Sequence, residues 1–205
     1  MNKLKKLKTA LIIFLKYPEL GRSKTRLAAT VGNENALKVY IELLAHTNLI
    51  SKELNFDKYL FYDKVTAHKM PWGDDIYHTA YQLESDLGGR MQNAFEQLFD
   101  KGYERIVIIG SDCYELTQEI IEEAFNKLNS NKVVVGPAKD GGYYLLGLSQ
   151  LIPQLFSDVA WSTEEVFSST IKILKSLNLS YDTTPILSDI DTEDDLTEKL
   201  KLLIS

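Results

Sequence analysis

Thr9-Ala10-Leu11-Ile12-Ile13-Phe14-Leu15-Lys16-Tyr17-Pro18-Glu19-Leu20-Gly21-Arg22-Ser23-Lys24-Thr25-Arg26-Leu27 is the stretch from which the fold of this chain can be read. The run from Thr9 to Leu15 is short and apolar and predicts a buried first strand. Pro18 and Gly21 then shape a turn, and a helix is expected to begin near Lys24. A strand that opens into a basic loop and then a helix is how an α/β protein turns backbone N–H groups and positive charge toward a phosphate. Lys24 supplies a point charge, and Arg26 can hold a phosphate bidentately. The P-loop reading fails, because that motif needs Gly directly before the Lys and Ser23 stands there.

Outward from this stretch, the pattern alternates strands and helices. Strands are expected at 56–62, 75–82, 105–110, 132–135 and 143–148, with Pro71-Trp72-Gly73 as a turn. Helices are expected from Asn33, whose side chain would cap a face of Leu37, Tyr40, Ile41 and Leu44, and over 87–100 and 117–128. Ser162 with Glu165 has the form of a capping box for a helix to about Leu177, and Thr192 with Asp195 predicts the start of the last helix. Strands alternating with helices give an α/β fold, a mostly parallel central sheet with helices on both faces.

The 205 residues suit one domain, 1–205, and 44% apolar with 25% charged residues is an ordinary globular composition. A net charge of -6 argues against a broad nucleic-acid surface. The single cysteine, Cys113, allows no internal disulfide and fits a cytoplasmic protein. Lys3, Lys5, Lys6 and Lys8 precede an apolar run, but that run is short and ends at Lys16 without a small-residue cleavage site, so it reads as a strand and not as a signal peptide. No segment is long enough to span a bilayer.

Four further segments carry chemistry. Asp112 follows the strand Arg105-Ile106-Val107-Ile108-Ile109-Gly110, at the carboxyl end where open parallel sheets bind ligands. A carboxylate there can hold Mg²⁺ or Mn²⁺, or simply cap a turn. Asp140-Gly141-Gly142-Tyr143 either brings backbone close to a ligand or makes an Asp-Gly hairpin. Asp189 and Asp191 precede a helix as caps or metal ligands, and Asp112 and Asp191 could converge on one cation. Arg90 sits at a helix start, where it opposes the dipole and so suggests an anion contact. Cys113 reads as a small buried residue, and His46, His68 and His78 show no ligand spacing.

These elements occur together and in order: Phe14-x-Lys16-x-Pro18-x-x-Gly21-x-x-Lys24-Thr25-Arg26-Leu27, Leu87-Gly88-x-Arg90-Met91, Gly110-x-Asp112-Cys113, Asp140-Gly141-Gly142-Tyr143-Tyr144-Leu145-x-Gly147, Trp161-Ser162-Thr163 and Asp189-x-Asp191-Thr192-x-x-Asp195-Leu196. The chain thereby resembles the radical-SAM/selenodomain-associated transferase family, within the nucleotide-diphospho-sugar transferase superfamily. More distantly it resembles the guanylyltransferases of molybdenum-cofactor and phospholactate metabolism. The resemblance implies a glycosyltransferase-A-like, Rossmann-related three-layer sandwich (the nucleotide-diphospho-sugar transferase fold). It implies a nucleotide-sugar or nucleoside triphosphate, a small-molecule acceptor and a divalent cation, Mg²⁺ or Mn²⁺. By position it implies donor phosphates held by Lys24 and Arg26, further binding roles for Lys16, Gly21, Arg90, Gly141 and Gly142 with Asp140 to Tyr143 on the acceptor or sugar side, metal ligation by Asp112 and Asp191, and catalytic roles for Asp112 and Asp140. Tyr114 stands where an Asp-x-Asp pair would have its second acid. Glycosyl transfer, nucleotidyl transfer with pyrophosphate release, and nucleotide binding without turnover all remain open at this level.

Overall fold

The computed structural model describes residues 7–65 and 68–205, so Lys3, Lys5 and Lys6 lie outside the described residues. Among the described residues seven strands form one sheet: β1 (Thr9–Leu15), β2 (Asp57–Tyr62), β3 (Tyr77–Tyr81), β4 (Arg105–Ile109), β5 (Val133–Pro137), β6 (Tyr143–Leu148) and β7 (Tyr181–Thr183). Their spatial order is β3-β2-β1-β4-β6-β5-β7. All pairings are parallel except those of β6, which runs antiparallel to both β4 and β5. The sheet is therefore mostly parallel, as expected. Ala10 to Ile13 are fully buried at its centre, which is why β1 is a continuous apolar run and shows no alternation. Burying each of the larger of these side chains contributes about 1.5–3 kcal/mol.

Among the described residues six α-helices cover the two faces. They are α1 (Thr25–Val31), α2 (Asn33–Ser51), α3 (Leu87–Asp100), α4 (Gln118–Lys127), α5 (Val166–Ser176) and α6 (Glu198–Ile204). Leu11, Ile13 and Leu15 point to the core shared with α1, α2, α4 and α6, whereas Ala10 and Ile12 point to the core shared with α3 and α5. The period-2 alternation of a strand sorts its side chains between the two layers.

Several local expectations need correction. Asn33 is the first helical residue of α2 and makes no side-chain cap; Gly32 is the cap. The buried stripe of α2 is Ala36, Val39, Tyr40, Leu43 and Leu44, with Ile41 half exposed, because packing against β1 and α6 selects a face rotated from the predicted one. Ser162 and Glu165 form no capping box: Ser162 adopts φ 64° and α5 begins only at Val166. Thr192 and Asp195 do form a capping box, but on a single 3-10 turn, Glu193–Asp195, and the last helix is capped by Thr197 and starts at Glu198. The edge strand β7 is three residues of half-buried Tyr-Asp-Thr, too short for a periodic signal.

The strand order sets the position of the site. From β1 the chain builds outward to β2 and β3, then returns to place β4 on the other side of β1. The loops after β1 and β4 thus part in opposite directions and leave a crevice at their carboxyl ends, the switch point at which α/β sheets bind ligands.

Candidate functional site

The loop after β1 is held from beneath by Tyr40 of α2. The Tyr40 hydroxyl accepts from Lys16 N at 2.9 Å and donates to Lys16 O at 3.0 Å, and lies 3.4 Å from Ser111 Oγ. One buried phenol therefore ties together the starts of the β1 and β4 loops. Burial is the first cause that raises its pKa above the usual phenol range, and the Asp112 charge adds to it. Farther along, Gly21 takes φ 75° and Lys24 takes φ 52°, a left-handed conformation that turns the chain into α1. Glu19 anchors the outer side of the loop, paired with Lys64 after β2 at 2.8 Å and with Arg22 at 3.5 Å.

The left-handed turn drives the Lys24 side chain inward, where it is 4% exposed. Its Nζ lies 2.8 Å from Asp112 Oδ2 and 3.2 Å from Asp191 Oδ1. Arg26, on the exposed side of α1, meets the other oxygen of Asp191 at 3.2 Å. Burial opposes the charge of Lys24, but the two carboxylates outweigh it and hold the ammonium above the ordinary lysine range.

The late acidic segment reaches this point by backbone pairing. Ala138 and Leu187 form a parallel bridge past the ends of β5 and β7, and Ile190 N donates to Asp112 O at 2.9 Å. Asp189 and Asp191 flank that bond on the same side as Asp112. Burial, together with the nearby charges of Asp112, Asp140 and Asp191, pushes the Asp189 carboxyl up to about 7, with Lys24 opposing. Asp195 Oδ2 accepts from the backbone N–H of Asp191 and of Thr192, at 3.0 Å and 2.7 Å, and so fixes the segment.

Two adjoining compartments open around Lys24, Asp112 and Asp189. The inner one, about 460 Å³, runs along the ends of β1, β2, β3 and β4 and is walled by Phe14, Asp63, Gln82, Arg90 and Met91. The outer one, about 640 Å³, lies between the β5–β6 turn and residues 161–166, with Arg22, Arg26, Asp140, Trp161 and Asp191 in its walls. Lys16, Lys24, Leu87, Asp112, Tyr143 and Ser162 border both. The tight turn between β5 and β6 depends on Gly141: it takes φ 86°, and a Cβ there would overlap the backbone of Glu164. Phe167 N donates to Gly141 O at 2.9 Å and locks this turn to α5, while Asp140 Oδ1 accepts from Gly142 N at 2.9 Å. At the mouth of α3 a Cβ on Gly88 would overlap the Trp161 indole, so glycine lets that ring lie over the helix start.

The structure therefore brings Lys16, Lys24, Arg26, Arg90, Asp112, Asp140, Gly142 and Asp191 to one cleft. Gly21 and Gly141 shape turns and do not line it. Arg90 donates from Nε to Ser85 O at 2.8 Å, which aims the guanidinium from the start of α3. Sequence reasoning left Asp189 open between cap and ligand, and it missed Tyr40 as a loop anchor and Asp63 and Gln82 as wall residues. The signal for Asp63 was present: an acidic residue directly follows the apolar run of β2, as Asp112 follows that of β4. Cys113 is buried, and burial first, then Asp189, pushes its thiol up to about 12, in accord with a structural residue.

Among the described residues no group of three or more His, Cys, Asp or Glu side chains is arranged to hold a metal ion. The Lys24 ammonium takes the place between Asp112 and Asp191. No helix among the described residues is long and apolar enough to cross a membrane.

Residues 47–163 match the model of a bacterial family described as "Uncharacterized protein conserved in bacteria (DUF2064)". The chain belongs to this family. A solved structure described as a "putative nucleotide-diphospho-sugar transferase" from Desulfovibrio desulfuricans G20 is 31% identical, with a TM-score of 0.84 over 91% of this chain and 83% of that one. The fold of this DUF2064 chain extends to more remote structures. A cytidylyltransferase from Leptospira borgpetersenii is 14% identical, with a TM-score of 0.60 over 92% of this chain and 83% of that one. The Rv0371c protein of Mycobacterium tuberculosis H37Rv, solved in complex with manganese, is 14% identical, with a TM-score of 0.52 over 97% of this chain and 99% of that one. Among curated proteins none matches the chain. The architecture is thus that of the nucleotide-diphospho-sugar transferase fold.

Proposed function

We propose that this chain is a divalent-metal-dependent transferase that moves a sugar from a nucleotide-sugar to a small-molecule acceptor, within one domain spanning 1–205. The observation that carries the reading is the Lys24 ammonium held between Asp112 and Asp191 at the switch point of the sheet. The 31% identical structure described as a nucleotide-diphospho-sugar transferase supports it. The Lys24-Thr25-Arg26-Leu27 and Asp140–Tyr144 segments further favour the radical-SAM/selenodomain-associated branch.

Asp112, Asp189 and Asp191 offer hard oxygen donors, the chemistry that Mg²⁺ and Mn²⁺ prefer. The cation would be held by Asp112 and Asp191, and it would supply Lewis-acid stabilisation of charge on the leaving diphosphate. Lys24 and Arg26 would leave the carboxylates for the donor phosphates as these enter, so each keeps a charged partner throughout. Lys16 adds positive charge along the same path, and Arg90 borders the inner compartment on the donor side. The outer compartment receives the acceptor. Its hydroxyl oxygen attacks the anomeric carbon, the bond from that carbon to the diphosphate oxygen breaks, and the hydroxyl proton passes to Asp140. The nucleoside diphosphate leaves with the electron pair of the broken bond.

The test is a panel of nucleotide-sugars and nucleoside triphosphates incubated with Mn²⁺, with release of nucleoside diphosphate and of pyrophosphate followed separately. Mn²⁺-dependent release of nucleoside diphosphate that Asp112→Asn abolishes is expected. Turnover unchanged by Asp112→Asn overturns the site assignment. Pyrophosphate release replaces glycosyl with nucleotidyl transfer, and binding with no product makes the chain a nucleotide-binding domain.

A further inference from the structure

The inner compartment holds a polar group that no protein contact explains. Asp63 follows β2, and its backbone N donates to Leu15 O at 3.1 Å, which fixes it beside the end of β1. It lines the compartment, yet its Oδ1 is buried with no hydrogen-bond partner among the described residues. Its sequence neighbour Lys64 does not serve it, because Lys64 is committed to both oxygens of Glu19 at 2.8 and 2.9 Å. A buried acceptor left unpaired costs about 1–3 kcal/mol, so an orphan that persists calls for an explanation, and a donor carried in by a ligand provides one. Around Asp63 the wall combines apolar and hydrogen-bonding side chains, as a nucleoside would require. Phe14 and Met91 give it apolar surface, and about 460 Å³ lies within the usual ~300–1,000 Å³ of small-molecule pockets. The phosphate-facing group Lys24 borders the same space.

Resting on the reading of the cleft as a nucleotide site, the geometry points to guanine as the base, selected by the Asp63 carboxylate. A carboxylate only accepts hydrogen bonds. Guanine alone among the common bases presents two adjacent donors, N1–H and the 2-amino group, and so meets a carboxylate bidentately. Adenine and cytosine each set a ring-nitrogen lone pair beside their amino group, facing one carboxylate oxygen. Uracil sets two carbonyls around a single N–H. Gln82, tied through Nε2 to Phe61 O at 3.0 Å, stands in the same wall at the end of β3. Arg90 contributes the donors that the O6 and N7 acceptors of guanine require.

The experiment is calorimetric titration of the full chain with GDP, ADP, CDP, UDP, IDP and XDP in the presence of Mn²⁺, for the wild type and Asp63→Asn. GDP is expected to bind the wild type at least about tenfold more tightly than the other common diphosphates, and IDP, which lacks the 2-amino group, to lose about tenfold. Asp63→Asn should weaken GDP by a similar factor and strengthen XDP, because an amide offers one donor and one acceptor to the N1–H and O2 of xanthine. The gain for XDP cannot arise from misfolding. Nucleotide binding with no preference for GDP over IDP, or a GDP preference that survives Asp63→Asn, overturns the base assignment and leaves the proposed function standing. Failure of every nucleotide to bind wild type overturns the proposed function itself.

Discussion

Lys24 Nζ sits 2.8 Å from Asp112 Oδ2, in a side chain that is 4% exposed, between carboxylates contributed by the middle of the chain and by its C-terminal part. The lysine thus neutralises a site that would otherwise gather negative charge from Asp112, Asp189 and Asp191. Its backbone is held in the left-handed region at φ 52°, a conformation that costs a non-glycine residue about 1–3 kcal/mol. The interactions of the side chain offset that cost.

Lys24→Met is expected to destabilise the protein by about 1–2 kcal/mol, less than the ~3–5 kcal/mol for a fully buried pair because the carboxylates keep contact with water. Urea denaturation measures this. The same variant should bind Mn²⁺ more tightly than wild type in the absence of nucleotide, since the competing ammonium is gone. Mn²⁺ affinity equal to that of wild type contradicts the view that lysine and metal share one position.

Asp189 gives stability a pH dependence of known sign. Its carboxyl is pushed up to about 7, chiefly by burial. The folded protein therefore binds a proton that the unfolded chain has released between pH ~4 and ~7, and stability from this group falls as pH rises through that window. Below it the contribution is complete, and above it the contribution is gone. Asp189→Asn should flatten this slope and raise stability by about 1 kcal/mol or more at pH 8 relative to wild type, with little effect at pH 4. Denaturation midpoints across that range decide the matter; a parallel offset at all pH values speaks against titration of Asp189.

Gly141→Ala combines a backbone penalty at φ 86° with overlap against the Glu164 backbone. Neither can relax without moving the β5–β6 turn off α5. We expect a loss of about 2–4 kcal/mol and a melting temperature lower by about 5 °C or more. Calorimetric melting checks it, and a shift under 1 °C means that the turn is not the rigid wall described above.

Tyr40→Phe removes the hydroxyl that accepts from Lys16 N and donates to Lys16 O. A buried backbone N–H left without its acceptor costs about 1–2 kcal/mol. Hydrogen exchange at Lys16 should accelerate about tenfold or more while the amides of β1 keep their protection, because only the loop loses its anchor.

The local sequence determined much of this molecule. Short β-branched apolar runs such as Val133-Val134-Val135 favour strands buried on both faces, and Leu87–Asp100 carries a helical stripe bounded by the Asp86 cap. Position after a strand, with the right charge, also marked Lys24 and Asp112. The sequence could not supply what depends on partners distant along the chain. The face of α2 was rotated from its predicted stripe because β1 and α6, not the helix itself, choose which side is buried. Likewise, nothing near Asp189 foretells its raised pKa, since burial and Asp112 are its causes and the two residues meet only through the Ile190–Asp112 backbone bond. Asp63 is legible in the sequence by its position after β2, but its orphaned acceptor exists only once the cleft has closed around it. Periodicity and turn chemistry act over a few residues and survive in the sequence. Burial, electrostatic coupling and the Lys24 bridge act through space, and the strand order β3-β2-β1-β4 that creates them is decided only by tertiary packing.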